Sequence, residues 1–157
     1  MRIEAASSAD ADTIAGLNQF VHNLHLENAP YFFKSPTREG VAVTFKTLLD
    51  RDDTRAFIAY VDGRAIGYVP AFLVDRPETV FGSARRLLYV DQISVEPNSR
   101  RHGVGRELLK AALRCARSAG IDDIEVETWA FNEVAQAFFN SAGFRPKTER
   151  LWMTLKA

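Results

Sequence analysis

The chain carries a single cysteine, Cys115, in 157 residues, so no intramolecular disulfide can staple it and its stability must come from packing. It also lacks net charge, since twenty Lys plus Arg balance twenty Asp plus Glu. Without a surplus positive field to gather phosphates by counterion release, nucleic-acid binding is disfavoured. Long apolar runs are missing as well. The uncharged apolar stretch Ala65 to Val74 falls short of the ~20 apolar residues that a membrane-spanning helix requires, and it contains Pro70. Met1-Arg2-Ile3-Glu4 lacks the apolar stretch of a secretory signal, so the expected location is cytoplasmic and away from membranes. There is no internal repeat, low-complexity tract or composition break, which argues for one domain over residues 1–157.

What is present is the ordinary profile of a folded domain, with 46% hydrophobic and 25% charged residues. A chain of this length buries roughly 70% of its unfolded surface, enough for one core. Arg2 to Ala5 is a short apolar start. Ser7-Ser8-Ala9-Asp10 then reads as a helix cap leading into the apolar face Ile14, Leu17, Val21 and Leu24. Pro30 and Pro36 bracket an aromatic loop, Tyr31 to Phe33, and a second helix is expected from Thr37 to Asp50. Ala56–Val61 and Ala65–Val74 read as strands joined at Asp62-Gly63, a two-residue hairpin signal. Leu87–Val95 reads as one central strand.

From Gly103 the period becomes helical, with Val104, Leu108, Ala111 and Cys115 on one face and Gly120 as the stop. Ile124 to Thr128 alternates as a strand. Asn132 caps a short helix through Ala135, Phe138 and Phe139, Gly143-Phe144 ends it, and a last strand is expected to about Leu155. The order β α α β β β α β α β makes an α+β domain. Its strand, helix, strand unit from Leu87 to Thr128 is a right-handed parallel crossover, so the central sheet is mixed.

The turn Arg100-Arg101-His102-Gly103-Val104-Gly105, opening the long helix, is built for an anion. The first helical N–H groups have no intrahelical acceptors and carry the positive end of the dipole, while glycines let backbone approach a ligand. Arg100 and Arg101 add charge-assisted hydrogen bonds. A dinucleotide fingerprint would need glycine where Leu108 stands, and a P-loop would need Lys then Ser or Thr where Arg106-Glu107 stand. Both fail.

Arg100-x-x-Gly103-x-Gly105 after an apolar strand resembles the pyrophosphate motif of the GNAT superfamily of CoA-dependent N-acetyltransferases. The downstream run Asn132-x-x-Ala135-x-x-Phe138-Phe139-x-x-x-Gly143-Phe144 is similar to that superfamily's second segment. The resemblance implies a twisted sheet flanked by helices, in which the parallel strands around Leu87–Val95 and Ile124–Thr128 splay to admit the pantetheine arm. It implies an acetyl group passing from acetyl-CoA, with no metal, to a primary amine of a small molecule or peptide by direct attack through a tetrahedral intermediate. It implies cofactor contacts at Ile93, Ser94, Val95, Arg100, Arg101, His102, Gly103, Val104, Gly105, Arg106, Asn132, Ala135 and Phe139. The Ile93 N–H would face the thioester oxygen, where a preorganised donor stabilises an oxyanion. Dimers are common in the superfamily, so a homodimer is admitted.

One departure matters: many members carry a tyrosine where Phe139 stands, to protonate the departing sulfur. A thiol of pKa ~8.5 leaves tolerably as thiolate, although a missing general acid costs roughly 10²- to 10⁴-fold. The amine, with a pKa near ~10.4, must lose a proton before attack. Asp91 is the first candidate base, placed by strand alternation with Tyr89 and Ile93, and superfamily members that acetylate polyamines keep an acidic base at this strand position; Glu127, acting through water, is the second. His22 and His25, three apart, lack a further His or Cys cluster to complete a metal site. Two other readings stay open: a non-catalytic acyl-CoA sensor, motivated by Phe139, and an interaction domain using the aromatic loop.

Overall fold

The computed structural model describes residues 1–155. They form two compact units, one from Met1 to Glu127 and one from Thr128 onward. The first unit contains β1 (Arg2–Ala5), α1 (Ala11–Asn28), α2 (Arg38–Leu49), β2 (Thr54–Val61), β3 (Arg64–Arg76), β4 (Arg85–Val90), β5 (Ser94–Val95), α3 (Val104–Ser118) and β6 (Asp123–Val126). The second contains α4 (Glu133–Ser141). The sheet runs β1-β2-β3-β4-β6, with β5 beside β3. All pairs are antiparallel except β4 with β6, which is parallel, as the crossover through α3 requires.

Local chemistry accounts for the boundaries. The Ser7 N–H donates to the Asp10 carboxylate at 2.8 Å, closing a 3-10 turn that hands over to α1 at Ala11. Thr37 Oγ1 accepts from Gly40 N at 3.1 Å and starts α2. Asp62 and Gly63 take φ of 50° and 78°, the left-handed pair that lets a two-residue hairpin follow the twist of β2 and β3. Gly120, at φ 67°, ends α3.

The apolar face of α1 supplies Ile14 and Leu17 to a core with Phe45 of α2, Ile58 of β2 and Tyr68 of β3. Each such burial contributes ~1.5–3 kcal/mol, so α1 and α2 are held to the sheet mainly by this cluster. On α3, Val104, Leu108, Leu109, Ala111, Ala112 and Ala116 are buried, leaving the arginines of the same helix toward solvent. Cys115 is only half-buried, at the margin of the face expected to hold it.

Two expectations fail. The single strand over 87–95 is divided into β4 and β5 by an irregular stretch over 91–93 opposite Pro70. The strand expected after Phe144 is not formed among the described residues, where 145–155 are irregular. Leu151, Met153 and Leu155 stay exposed. Apolar composition makes a strand only where a ladder partner exists, and the sheet contains no pairing for these residues.

Candidate active site

The break in the central strand begins with Pro70. β3 and β4 pair as far as Ala71 opposite Val90, and the next residues are joined by the Asp91 N–H donating to the Pro70 carbonyl at 3.1 Å. Proline has no N–H to return, so the ladder loses its reciprocal bond there. Pairing resumes only at Tyr68 opposite Ser94. Val69 alone on β3 therefore faces both Gln92 and Ile93, a one-residue bulge. The Ile93 N–H finds no backbone acceptor among the described residues. On the other side, the parallel pairing of β4 with β6 also stops at Val90 and Val126.

β5 lies very close to β3. A Cβ on Gly67 would come within 2.8 Å of the Ser94 carbonyl oxygen, so only glycine admits this approach. Ser94 is buried, and its Oγ donates to the Leu17 carbonyl of α1 at 2.8 Å. The bulge is thus held from both sides, by the sheet and by α1.

Asp91 opens the bulge. Its carboxyl keeps access to solvent, yet enough protein crowds it that desolvation pushes its pKa above the ordinary carboxylate value. The expected alternation of Tyr89, Asp91 and Ile93 holds only as far as Asp91, because the extra residue opposite Val69 resets the side-chain period before Ile93. Glu127 is exposed and lies just beyond β6, outside the strand predicted to carry it. Its neighbour Glu125 accepts from Arg85 Nη1 at 2.8 Å.

At the start of α3, Gly103 takes φ 81° and no side chain caps the helix. The N–H groups of Arg101 to Arg106 have no hydrogen-bond acceptor among the described residues, and a Cβ on Gly103 would meet nothing within 4 Å. This is the open, donor-lined helix start that an anion requires. A groove of about 550 Å³ adjoins it, lined in part by Arg64, Asn98, Ser99, His102 and Val104. Arg100 Nε donates to the Val95 carbonyl at 3.0 Å, which ties the turn to β5 and leaves the remaining guanidinium N–H groups for a ligand. Arg101, at φ 64°, is left-handed without being glycine. Below the turn, buried Glu96 accepts from Arg64 Nη1 at 2.9 Å and from Ser99 Oγ at 2.7 Å, so its part is to shape the loop.

Within the second unit, Asn132 Oδ1 accepts from Ala135 N at 3.0 Å and caps α4. Its oxygen is therefore occupied by the helix, with the amide nitrogen left over. Phe139 is buried and lies edge-on to Phe138 and Phe144, at 5.1 and 5.3 Å between ring centroids. The histidines expected at a helix end hold the aromatic loop. His25 stacks on Phe33 at 5.0 Å, His22 meets the same ring edge-on at 5.8 Å, and His22 Nε2 lies 2.8 Å from the Lys34 carbonyl. Among the described residues no group of His, Cys, Asp and Glu is arranged to hold a metal, and no helix is long and apolar enough to cross a membrane.

A sequence model described as the Acetyltransferase (GNAT) family matches residues 19–144. The chain belongs to the GNAT family. Its match to an aminoglycoside N(6′)-acetyltransferase type 1 of Salmonella typhimurium is 30% identical over 105 residues, covering 66% of this chain and 70% of that protein. Among solved structures, a variant of the BH1408 protein of Bacillus halodurans superposes with a TM-score of 0.91 at 23% identity, covering 99% of this chain and all of that one. An aminoglycoside N-acetyltransferase AAC(6′)-Iy in complex with CoA superposes at 0.75 with 22% identity, over 99% and 93% of the two chains. These likenesses establish the α+β GNAT fold with its mixed sheet. The GNAT chemistry is acyl transfer with acetyl-CoA as donor, and the uncapped helix start at Gly103 fits the diphosphate of such a donor.

Sequence reasoning missed Pro70, Gly67 and Gln92. The first two had a visible signal, because proline and glycine inside a strand pattern mark a bulge or a close backbone approach. Gln92 had none.

Proposed function

We propose that this chain transfers the acetyl group of acetyl-CoA to a primary amine of a small molecule or peptide, the whole chain acting as a single acetyltransferase domain. One observation carries the reading: an uncapped, donor-rich helix start at Gly103 lies a few residues after a bulge whose Ile93 N–H has no backbone acceptor among the described residues. Donors at the helix start, helped by Arg100 and Arg101, would hold the diphosphate. Ile93, Ser94 and Val95 would line the pantetheine arm, and the Ile93 N–H would take the carbonyl oxygen as charge develops on it. Asp91 is the base. Its raised pKa brings it nearer the range in which a carboxylate accepts a proton productively, with Glu127 as a second, water-linked acceptor. As the C–N bond forms and the C–S bond breaks, the amine proton goes to Asp91 and the electron pair leaves on sulfur.

The second reading, an acyl-CoA-binding module without turnover, is favoured by Phe139, which brings no phenol to protonate the leaving thiol. A thermal-shift titration followed by thiol-release assays over an amine panel that includes sisomicin and spermidine tests both. At 100 times Kd, acetyl-CoA adds ~2.7 kcal/mol of stability. A shift with thiol release supports the enzyme, a shift without release supports the binding module, and no shift at millimolar ligand refutes both.

A further inference from the structure

Gln92 is the member of the bulge that the chemistry above leaves unused. Its Nε2 donates to Tyr68 Oη at 2.9 Å, and the same hydroxyl accepts from Asn18 Nδ2 at 2.8 Å. Tyr68 has no exposed surface and Asn18 only 9%. Burial pushes the Tyr68 phenol well above its ordinary pKa, so it stays a neutral hydroxyl at any working pH. A buried hydroxyl holding two carboxamides is costly to disrupt, because a donor left unsatisfied there loses ~1–3 kcal/mol. The Gln92 side chain is therefore pinned by one end. The other end is open: Oε1 takes no hydrogen bond from the described residues and is not shut away from solvent. Gln92 directly follows Asp91, in the stretch where neither β3 nor β6 pairs with the chain.

We propose that Gln92 is an acceptor-recognition residue: its fixed carboxamide oxygen takes a hydrogen bond from a second N–H or O–H of the acceptor, beside the amine whose proton Asp91 removes. The Asp91 charge reaches the same Tyr68 hydroxyl that holds Gln92, which places both oxygen acceptors about one group, where they would select two neighbouring donors. The substrate class that fits is a primary amine with a hydroxyl or amino group on a neighbouring carbon, and a plain alkylamine leaves Gln92 unpaired. Asn18 and Tyr68 act through Gln92 as positioning residues. This inference rests on the reading of Asp91 and the α3 start as an acetyl-transfer site.

The test uses the full chain with acetyl-CoA and two probes: glucosamine, whose amine has hydroxyls on both neighbouring carbons, and cyclohexylamine, a ring amine without them. The wild type is expected to favour glucosamine by about tenfold or more in kcat/KM, since a site built to bond a substrate hydroxyl rejects the analogue lacking it. Gln92→Leu should raise KM for glucosamine about tenfold, the scale of one lost hydrogen bond. It should lower cyclohexylamine turnover much less than glucosamine turnover, with acetyl-CoA still bound. Tyr68→Phe should act in the same sense, and the double variant should add nothing to Gln92→Leu. If Tyr68→Phe fails to fold, Gln92→Leu alone decides, because its side chain lies at the margin of the core. The proposal is overturned if the wild type does not discriminate, if neither probe turns over, or if Gln92→Leu affects both amines alike or neither. Acetyl-CoA binding is measured on the same samples by thermal shift. Its absence sinks the underlying site reading, and its presence with any of the other failures sinks the Gln92 proposal.

Discussion

Replacing Gly67 by alanine puts the geometry of the bulge under direct strain. The added Cβ would lie 2.8 Å from the Ser94 carbonyl oxygen, 3.2 Å from Val95 Cγ2 and 3.3 Å from Leu108 Cδ1. The two side-chain atoms can move by tenths of an ångström, but the oxygen belongs to backbone. That backbone is clamped by Ser94 Oγ on the Leu17 carbonyl at 2.8 Å and by the Glu96 N–H on the Ile66 carbonyl at 2.9 Å. Overpacking of this kind costs ~1–3 kcal/mol, and the stiffer unfolded chain returns ~0.4–1, for a net loss of about 1–2 kcal/mol. At this chain length each kcal/mol moves Tm by ~2–4 °C, so calorimetry should record a fall of roughly 2–8 °C. Because relief requires β5 to leave β3, acetyl-CoA affinity should fall with it. A Tm that is unchanged or higher would refute the close approach and the clamping of the bulge.

Three further outcomes follow from the same geometry. Asp91→Asn should lower thiol release while leaving acetyl-CoA binding intact. It should also raise Tm at neutral pH, since a carboxylate whose folded pKa lies above its unfolded one favours the fold only when protonated. That gain should shrink as pH falls through the folded pKa, and a Tm series from pH 3 to 8 checks it. Gly103→Ala should fold, because its Cβ meets nothing within 4 Å, at a cost of ~1–2 kcal/mol for holding alanine at φ 81°. Calorimetric titration should show acetyl-CoA affinity reduced further than that stability loss explains, through crowding of the diphosphate. Thr54→Val should stabilise by about 1 kcal/mol, read from a denaturant midpoint, because Thr54 Oγ1 is buried without a partner among the described residues and the valine methyl occupies the same space.

Much of the fold can be read along the chain because its signals are local. The α3 boundaries follow from the period of Val104, Leu108 and Ala111 and from Gly120, the α2 start from Thr37, and the first hairpin from Asp62-Gly63. The donor-rich turn was equally legible, since Gly103 just ahead of the helical period announces an open helix start. What was hidden is pairing. Val90-Asp91-Gln92-Ile93-Ser94 reads as unbroken strand, and only the partner residue, Pro70, reveals that the ladder must lose a bond there. Leu151 to Leu155 read as a strand by composition, yet no ladder receives them. Gln92 gains its meaning from Tyr68 and Asn18, and nothing in its own neighbourhood announces those contacts.

The central claim is that backbone amides freed at the start of α3 grip the donor's diphosphate. Amide ¹H–¹⁵N spectra recorded during a titration with CoA report on those groups one by one. The account predicts the largest shifts at Arg101 to Arg106, with much weaker ones when pantetheine, which lacks the diphosphate, replaces CoA. Saturable CoA binding that leaves these amides unmoved, or shifts of equal size with pantetheine, would contradict it.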